Sequence, residues 1–471
     1  MSQNKKLDIA MFPYLAFGHI IPYLELAQFF SQKGHQVTFI STPRNIDRLP
    51  IVAPHSIFPI KFVKFTLPSH KHLPSDAEAT TDIPLYKHQY LKEAYDGLQG
   101  DLASFLENSK PDWIIYDFAP YWLPPIAAKL GVSCAHFSTL NAWTLCFFGP
   151  STNALINGDE EDARTEPEHF IVPPKWIPFE TNLAFHLYQA KEIAGGIRFK
   201  TSCVSDLYRL GSVISGSDVL AVRSCMELEP EWLQLVGALH QKPVFPVGLL
   251  PPSFHNNDDD HYWHTINEWL ETKSKSSVVF VALGSEVKLN EEDITELALG
   301  LELSKLPFLW ALRKQQDEVA LPNGFEDRTR GQGLIWTSWA SQIRILAHES
   351  VGSFLTHCGW NSIIEGLHFG RPLVLLPFYL DQGLNGKVFA EKKVGVEIPR
   401  NEEDGRFTRS SVAESLKLVM VDENRHVYLD NAKKMRVVFG DKNLHDAYMY
   451  NFVKYLENRT SQKQKKAKSE I

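Results

Sequence analysis

Trp339-Ala-Ser-Gln342, Thr356-His357-Cys358-Gly359-Trp360-Asn361-Ser362, Glu365 and Asp381-Gln382 lie within one 44-residue stretch. Their types suit a charged, hydroxylated ligand. Val351 to Leu355 is a short apolar run of strand formers. Thr356 to Asn361 is a small-residue turn, and Asn361-Ser362 opens a predicted helix with a polar first turn. Strand, turn and helix together leave the free N–H groups of a helix N-terminus at the end of a strand. That is an anion site, where a phosphate gains hydrogen bonds and a dipole contribution of about 0.3–1 kcal/mol. His357 and Ser362 can add donors, and Glu365, one turn along, can accept from two ribose hydroxyls. Trp339, after the predicted strand Gly333 to Thr337, offers a flat face for a base. Asp381 and Gln382, after the predicted strand Pro372 to Pro377, offer acceptors and an amide for sugar hydroxyls. The groups follow one another as the parts of a nucleotide sugar do.

Moving a sugar from such a ligand to a hydroxyl needs a base for the hydroxyl proton and stabilisation of the leaving diphosphate. His19, in Gly18-His-Ile-Ile-Pro22, follows the first predicted strand, at the end where ligands meet parallel sheets. A neutral imidazole there can take the proton, worth about 10²–10⁴-fold. Its place near a helix N-terminus should discourage the imidazolium. An aspartate on the other ring nitrogen would fix the tautomer. Asp117, at the carboxyl end of a neighbouring predicted strand, is the candidate; Asp112 starts that strand and should lie at the opposite edge. The plainer alternatives are a structural histidine and a helix-capping aspartate.

These groups must be carried by strand–helix alternation. Leu7 to Phe12, a helix from about His19 to Gly34, and Gln36 to Ile40 open a parallel sheet. Strands Pro111 to Asp117, Gly131 to Phe137, Ser217 to Val222 and Pro243 to Gly248 continue it. Residues 150–170 read as an acidic exposed loop. Leu250 to Asp260 is Pro-rich, acidic and aperiodic, and reads as a linker. A second alternation begins at Ser277 to Leu283, with Gly284-Ser285 as its first turn. It runs through helix Glu291 to Ser304, strand Phe308 to Leu312, the 44-residue stretch, strand Gly395 to Pro399 and helices near 409–420 and 442–458.

Composition narrows the class. Apolar residues make up 44% and charged residues 22%, as in an ordinary globular protein. The net charge of −8 argues against nucleic acid. Five scattered cysteines with no Cys-x-x-Cys pair fit a reducing, cytoplasmic setting. Residues 1–6 bring no apolar signal core, and no apolar run approaches about 18 residues, so no membrane span is expected. Lys463 to Lys468 reads as a frayed, solvated basic tail. His357 and Cys358 lack a second ligand pair at metal-binding spacing, so no metal is expected.

From Trp339 to Gln382 the chain resembles the signature of plant family-1 UDP-sugar-dependent glycosyltransferases, and the resemblance extends over essentially its whole length. Phe12 to His19 and Ser41 to Leu49 resemble the branch that often adds a sugar to an existing sugar. The resemblance implies an α/β GT-B fold of two facing Rossmann-like domains. Residues 1–250 would bind the acceptor, 251–262 form the linker and 263–440 bind the UDP-sugar. Residues 441–471 would hold a helix returning to the first domain, plus the tail. It implies an inverting, metal-independent transfer with His19 and Asp117 as the catalytic pair. Trp339 would stack the uracil, the Ala340 backbone would meet its edge, and Gln342 and Glu365 would hold the ribose. His357, Gly359, Asn361, Ser362 and Ser285 would hold the diphosphate, and Trp360, Asp381 and Gln382 the sugar.

Gln382 leans the donor towards UDP-glucose, a co-substrate and not a cofactor. Ser341 stands where the family usually has proline, which should loosen the base loop. Arg371 replaces a common apolar residue and should sit at the surface of its turn. For the acceptor, Phe17, Phe118 and Asn141 lie beside predicted strand ends, and Glu286 follows Ser285. Aromatic density from Phe137 to Leu210 fits an apolar cleft, although core packing explains most of it. The expected product is a terpenoid or flavonoid glycoside with one further sugar, made by a monomer. The alternatives are glycosylation of a plain aglycone and a non-catalytic nucleotide-sugar binding protein. A dinucleotide oxidoreductase would need Gly-x-Gly-x-x-Gly after the first strand, and Pro13-Tyr-Leu-Ala-Phe-Gly-His19 does not fit it.

Overall fold

The computed structural model describes residues 6–50, 59–150, 164–198, 204–251, 261–312 and 320–469. Beyond Leu250 and Pro251, the stretch expected as a linker up to Asp260 lies outside the described residues, as does most of the acidic loop at 150–170.

The inner strands are short, apolar and buried on both faces, the sequence character of parallel sheets covered by helices, whereas the edge strand Lys61–Lys64 is mostly exposed. The first sheet holds β1 (Asp8–Phe12), β2 (Gln36–Ser41), β3 (Lys61–Lys64), β4 (Trp113–Tyr116), β5 (Ser133–Ser138), β6 (Val219–Val222) and β7 (Val244–Pro246). The second holds β8 (Val278–Ala282), β9 (Phe308–Ala311), β10 (Gly333–Trp336), β11 (Val351–Thr356), β12 (Leu373–Leu375) and β13 (Gly395–Glu397). The orders are β3-β2-β1-β4-β5-β6-β7 and β10-β9-β8-β11-β12-β13, all parallel. This is the two-sheet GT-B architecture expected from the resemblance.

Each sheet reverses its winding once. The reversal lies between β1 and β4 in the first sheet and between β8 and β11 in the second. At such a point the following helices leave on opposite faces and open a crevice at the strands' carboxyl ends. His19 and Asp117 follow β1 and β4, while Ser285 and the His357 turn follow β8 and β11.

The last helix, Lys442–Ser469, packs on the first sheet. Its Met449, Phe452, Val453 and Leu456 share one buried cluster with Leu7, Ile9 and Met11. Trp113 Nε1 donates to Thr460 Oγ1 at 2.8 Å. The basic tail is therefore not frayed up to Ser469: it continues this helix, and Lys463 Nζ donates to Gly131 O at 2.6 Å. Arg425–Phe439 is a further helix.

Phe452 is fully buried against Phe30 and Phe245. Phe452→Ala should cost about 3–5 kcal/mol of stability, read as a lower urea midpoint. An unchanged midpoint would mean that the last helix is not docked on the first sheet.

Candidate active site

The first reversal point builds the His19 site. β1 and β4 run in register, with Phe12 opposite Tyr116, so Asp117 emerges beside the loop after β1. The carboxylate is buried and held by three donors. Tyr14 N reaches Oδ2 at 3.0 Å, Phe118 N reaches Oδ1 at 2.7 Å, and His19 Nδ1 lies 2.8 Å from Oδ2. Burial alone would raise the Asp117 pKa, but the His19 charge and these hydrogen bonds outweigh it and hold it low. Burial likewise pulls His19 down, yet the charge and hydrogen bond of Asp117 win and raise it above the ordinary imidazole value. That overturns the expectation that the helix N-terminus would discourage the imidazolium: a carboxylate at 2.8 Å outweighs a partial helix charge. Thr139 Oγ1 also lies 3.0 Å from Nδ1. With Nδ1 engaged, Nε2 has no partner among the described residues, and His19 lines the cleft.

The second reversal point builds the turn expected to hold an anion. The helix after β11 runs Trp360–His368 and starts one residue earlier than expected; Gly359, its N-cap, gives no side-chain cap. The first N–H groups are therefore left for a ligand. Cys358, at φ 66°, makes the turn. The His357 ring lies between two glycines. A Cβ at Gly359 would stand 2.4 Å from its Nε2, and one at Gly284, itself at φ 77°, 2.7 Å away. Burial pushes His357 down to about 4, so the ring is neutral, and its buried Nδ1 has no partner among the described residues.

Asn361 reaches across the cleft. Its Nδ2 donates to Gly18 O at 3.2 Å. That carbonyl is open because Pro22, four residues on in the helix Phe17–Gln32, has no N–H to give it. Asn361 Oδ1 accepts from Arg223 Nη1.

Around the turn, Trp339 is 66% exposed on the cleft wall, with its carbonyl held by Trp336 Nε1. Gln342 Nε2 donates to Glu365 Oε2. Burial pushes the Glu365 carboxyl up to about 7 and that of Asp381 up to about 6. Asp381 Oδ2 accepts from Asn385 Nδ2 at 2.8 Å. Gln382 Oε1 accepts from Phe378 N and Tyr379 N. Glu286 Oε1 accepts from Thr80 Oγ1 at 2.5 Å.

One cleft of about 1380 Å³ touches every one of the proposed site residues except Asn141 and Asp117, which is buried behind His19. Asn141 is fully buried: it caps the helix Ala142–Phe148 through Thr144 N and donates Nδ2 to Asn385 Oδ1. It has no face for an acceptor. Trp360 lines the cleft but is only 5% exposed, and its indole Nε1 donates to Arg223 O, away from the cleft. Trp143, Phe147 and Phe185 are core, not cleft wall. Arg371 is not a surface group; its guanidinium ties the carbonyls of Leu346, His348 and Val351. Sequence reading missed Thr139 and Arg223. Both lie just beyond predicted strands, the one signal that could have found them. Among the described residues no group of three His, Cys, Asp or Glu could hold a metal ion.

Known proteins resemble this chain throughout. The profile of the family described as UDP-glucoronosyl and UDP-glucosyl transferase matches residues 237–448. UDP-glycosyltransferase 91D2 of Stevia rebaudiana is 50% identical, covering 98% of this chain and 97% of that protein. Soyasaponin III rhamnosyltransferase of Glycine max is 43% identical, with 97% and 96% covered. Among solved structures, Glycyrrhiza uralensis UGT73P12 superposes with a TM-score of 0.77 at 21% identity, covering 99% of each chain. No described helix is long and apolar enough to cross a membrane. The chain belongs to the plant family-1 UDP-glycosyltransferases, enzymes that move a sugar from a UDP-sugar to a small-molecule acceptor.

Proposed function

We propose that the protein transfers glucose, with inversion and without a metal, from UDP-glucose to a sugar hydroxyl of a terpenoid or flavonoid glycoside. The observation that carries the mechanism is the 2.8 Å contact between His19 and the buried Asp117 on one wall of the cleft. Asp117 accepts a hydrogen bond from Nδ1–H, which keeps the proton on Nδ1 and leaves Nε2 as the basic nitrogen. Nε2 removes the acceptor proton as the oxygen attacks the anomeric carbon. The bond from that carbon to the β-phosphate oxygen breaks, and UDP leaves with the electron pair. The free N–H groups at Trp360 to Ser362, with Ser285 and neutral His357, receive the growing charge.

On this reading Trp339 stacks the uracil beside Ala340, and Glu365 and Gln342 hold the ribose. Asp381 and Gln382 hold the sugar, with the Trp360 backbone behind it, and Phe17 and Phe118 flank the acceptor. A glycoside acceptor is supported by polar groups on that wall, Thr80, His88, Gln89 and Glu286, and by the saponin in the name of one relative. The enzyme is read as a cytoplasmic monomer.

His19→Ala should lower kcat by about 10²–10⁴-fold and leave UDP affinity within twofold. In the wild type, kcat/KM should rise with pH through a limb above 6.5, because only the neutral ring is a base and Asp117 raises its pKa. Asp117→Asn should move that limb to lower pH and depress the plateau. Full activity of His19→Ala on UDP-glucose and a glycoside panel would refute the base; turnover of aglycones alone would refute the glycoside acceptor.

Trp339→Ala should weaken UDP by about 1–3 kcal/mol, the usual worth of a stacked base. Unaltered calorimetric affinity would remove the stacking role.

An ionised carboxylate accepts from two ribose hydroxyls, and burial pushes the Glu365 carboxyl up to about 7. Uridine affinity should therefore rise between pH 6 and 8 and level off above. The rise should vanish in Glu365→Gln; its persistence there would assign it elsewhere.

A further inference from the structure

Arg223 is a buried cation that the reaction as derived leaves unused. It is the first residue beyond β6, it is 3% exposed, and it lines the cleft. Among the described residues no carboxylate stands within ion-pairing distance. Oxygen dipoles hold the guanidinium instead: Nε donates to Leu249 O at 2.8 Å, Nη2 to Leu250 O at 3.1 Å, and Nη1 to Asn361 Oδ1. Burial lowers its pKa to about 10, which still leaves it charged at neutral pH. Glu365 and Glu25 act on that charge only from beyond ion-pairing distance, so an arriving anion would stabilise it further.

The contact to Asn361 has a second effect. The two ends of an amide have nearly the same shape, and the surrounding network decides which points where. Arg223 has only donors, so it takes the carbonyl end of Asn361. The NH₂ end is then turned away from Arg223, with one N–H on Gly18 O at 3.2 Å and the other left over. Phosphate oxygens only accept hydrogen bonds, so this is the orientation a diphosphate needs. Asn361 is also the second residue of the uncapped helix Trp360–His368, beside its free N–H groups.

We propose that Arg223 is a positioning residue for the donor diphosphate: it fixes the Asn361 amide with its NH₂ group available to the phosphate and sets a positive charge behind the turn. This rests on the donor-site reading above. The diphosphate gains charge as the sugar–oxygen bond breaks, so the effect extends from binding to kcat.

The test compares uridine with UDP, because only UDP carries the charge. Calorimetry on wild type, Arg223→Met, Arg223→Gln and Arg223→Lys should be run beside thermal unfolding. Arg223→Met should lose about tenfold in UDP affinity and keep uridine within twofold. Arg223→Gln keeps a donor for Asn361 without the charge and should recover part of the loss; Arg223→Lys keeps both and should recover most. Asn361→Ala should add little on top of Arg223→Met. Equal losses for uridine and UDP, or no change in either, would make Arg223 a structural tie and overturn the proposal. Should Arg223→Met not fold, a UDP-to-uridine preference lower in the Gln than in the Lys variant supports it, and equal preferences overturn it. Wild-type protein that binds neither ligand would remove the donor-site reading, and this proposal with it.

Discussion

Trp360 fixes how the two halves of the site meet. It is the first residue of the helix whose N-terminus faces the cleft, yet its indole turns away into the seam between the sheets. There it meets the rings of Trp143 at 5.5 Å and Phe389 at 6.2 Å, and it donates to Arg223 O at 3.0 Å. Beside it Asn385 uses all its hydrogen-bonding groups. It accepts from Asn141 Nδ2 and Trp143 Nε1, and donates to Cys358 O and Asp381 Oδ2. Sliding one sheet past the other would break these contacts and strand buried amides, at about 1–3 kcal/mol for each unpaired group. Packing in the seam, more than the loops above it, therefore holds His19 opposite the turn from Thr356 to Asn361.

Within that frame the electrostatics divide into two kinds. His19 and Asp117 satisfy one another, and each is pushed towards its charged form. Glu365, Asp381, His357 and Arg223 are all pushed by burial towards neutrality. On the proposed reading, a nucleotide sugar would bring hydroxyl donors to the acids and phosphate oxygens to the imidazole and the guanidinium. Polar groups held ready in this way need no rearrangement when charge develops, which is where such sites gain most of their rate.

The scaffold was largely legible because parallel strands buried on both faces leave continuous apolar runs. Val278–Ala282 is one, and helix Glu291–Ser304 announces itself by the Asn290 cap and three acids in its first turn. Helix Arg425–Phe439 went unseen because only Ala432 and Phe439 are buried along it, too few to make a period. Directions of side chains were the harder part. Asn141 and Trp360 sit at positions that look open to the cleft, but each turns into the seam to meet residues distant in the chain. Arg223 meets Asn361 138 positions away, a pairing that no local spacing encodes. The His19 pKa went the other way from the helix-dipole argument because the nearer charge decides.

The most direct measurement is a crystal structure with a non-transferable 2-fluoro UDP-sugar and an acceptor glycoside bound. The account predicts the diphosphate on the N–H groups of Trp360 to Ser362. It also predicts the acceptor oxygen about 3–3.5 Å from the anomeric carbon, within hydrogen-bond reach of His19 Nε2, and on the face opposite the leaving phosphate. A diphosphate bound elsewhere, or an acceptor hydroxyl out of reach of His19, would contradict it.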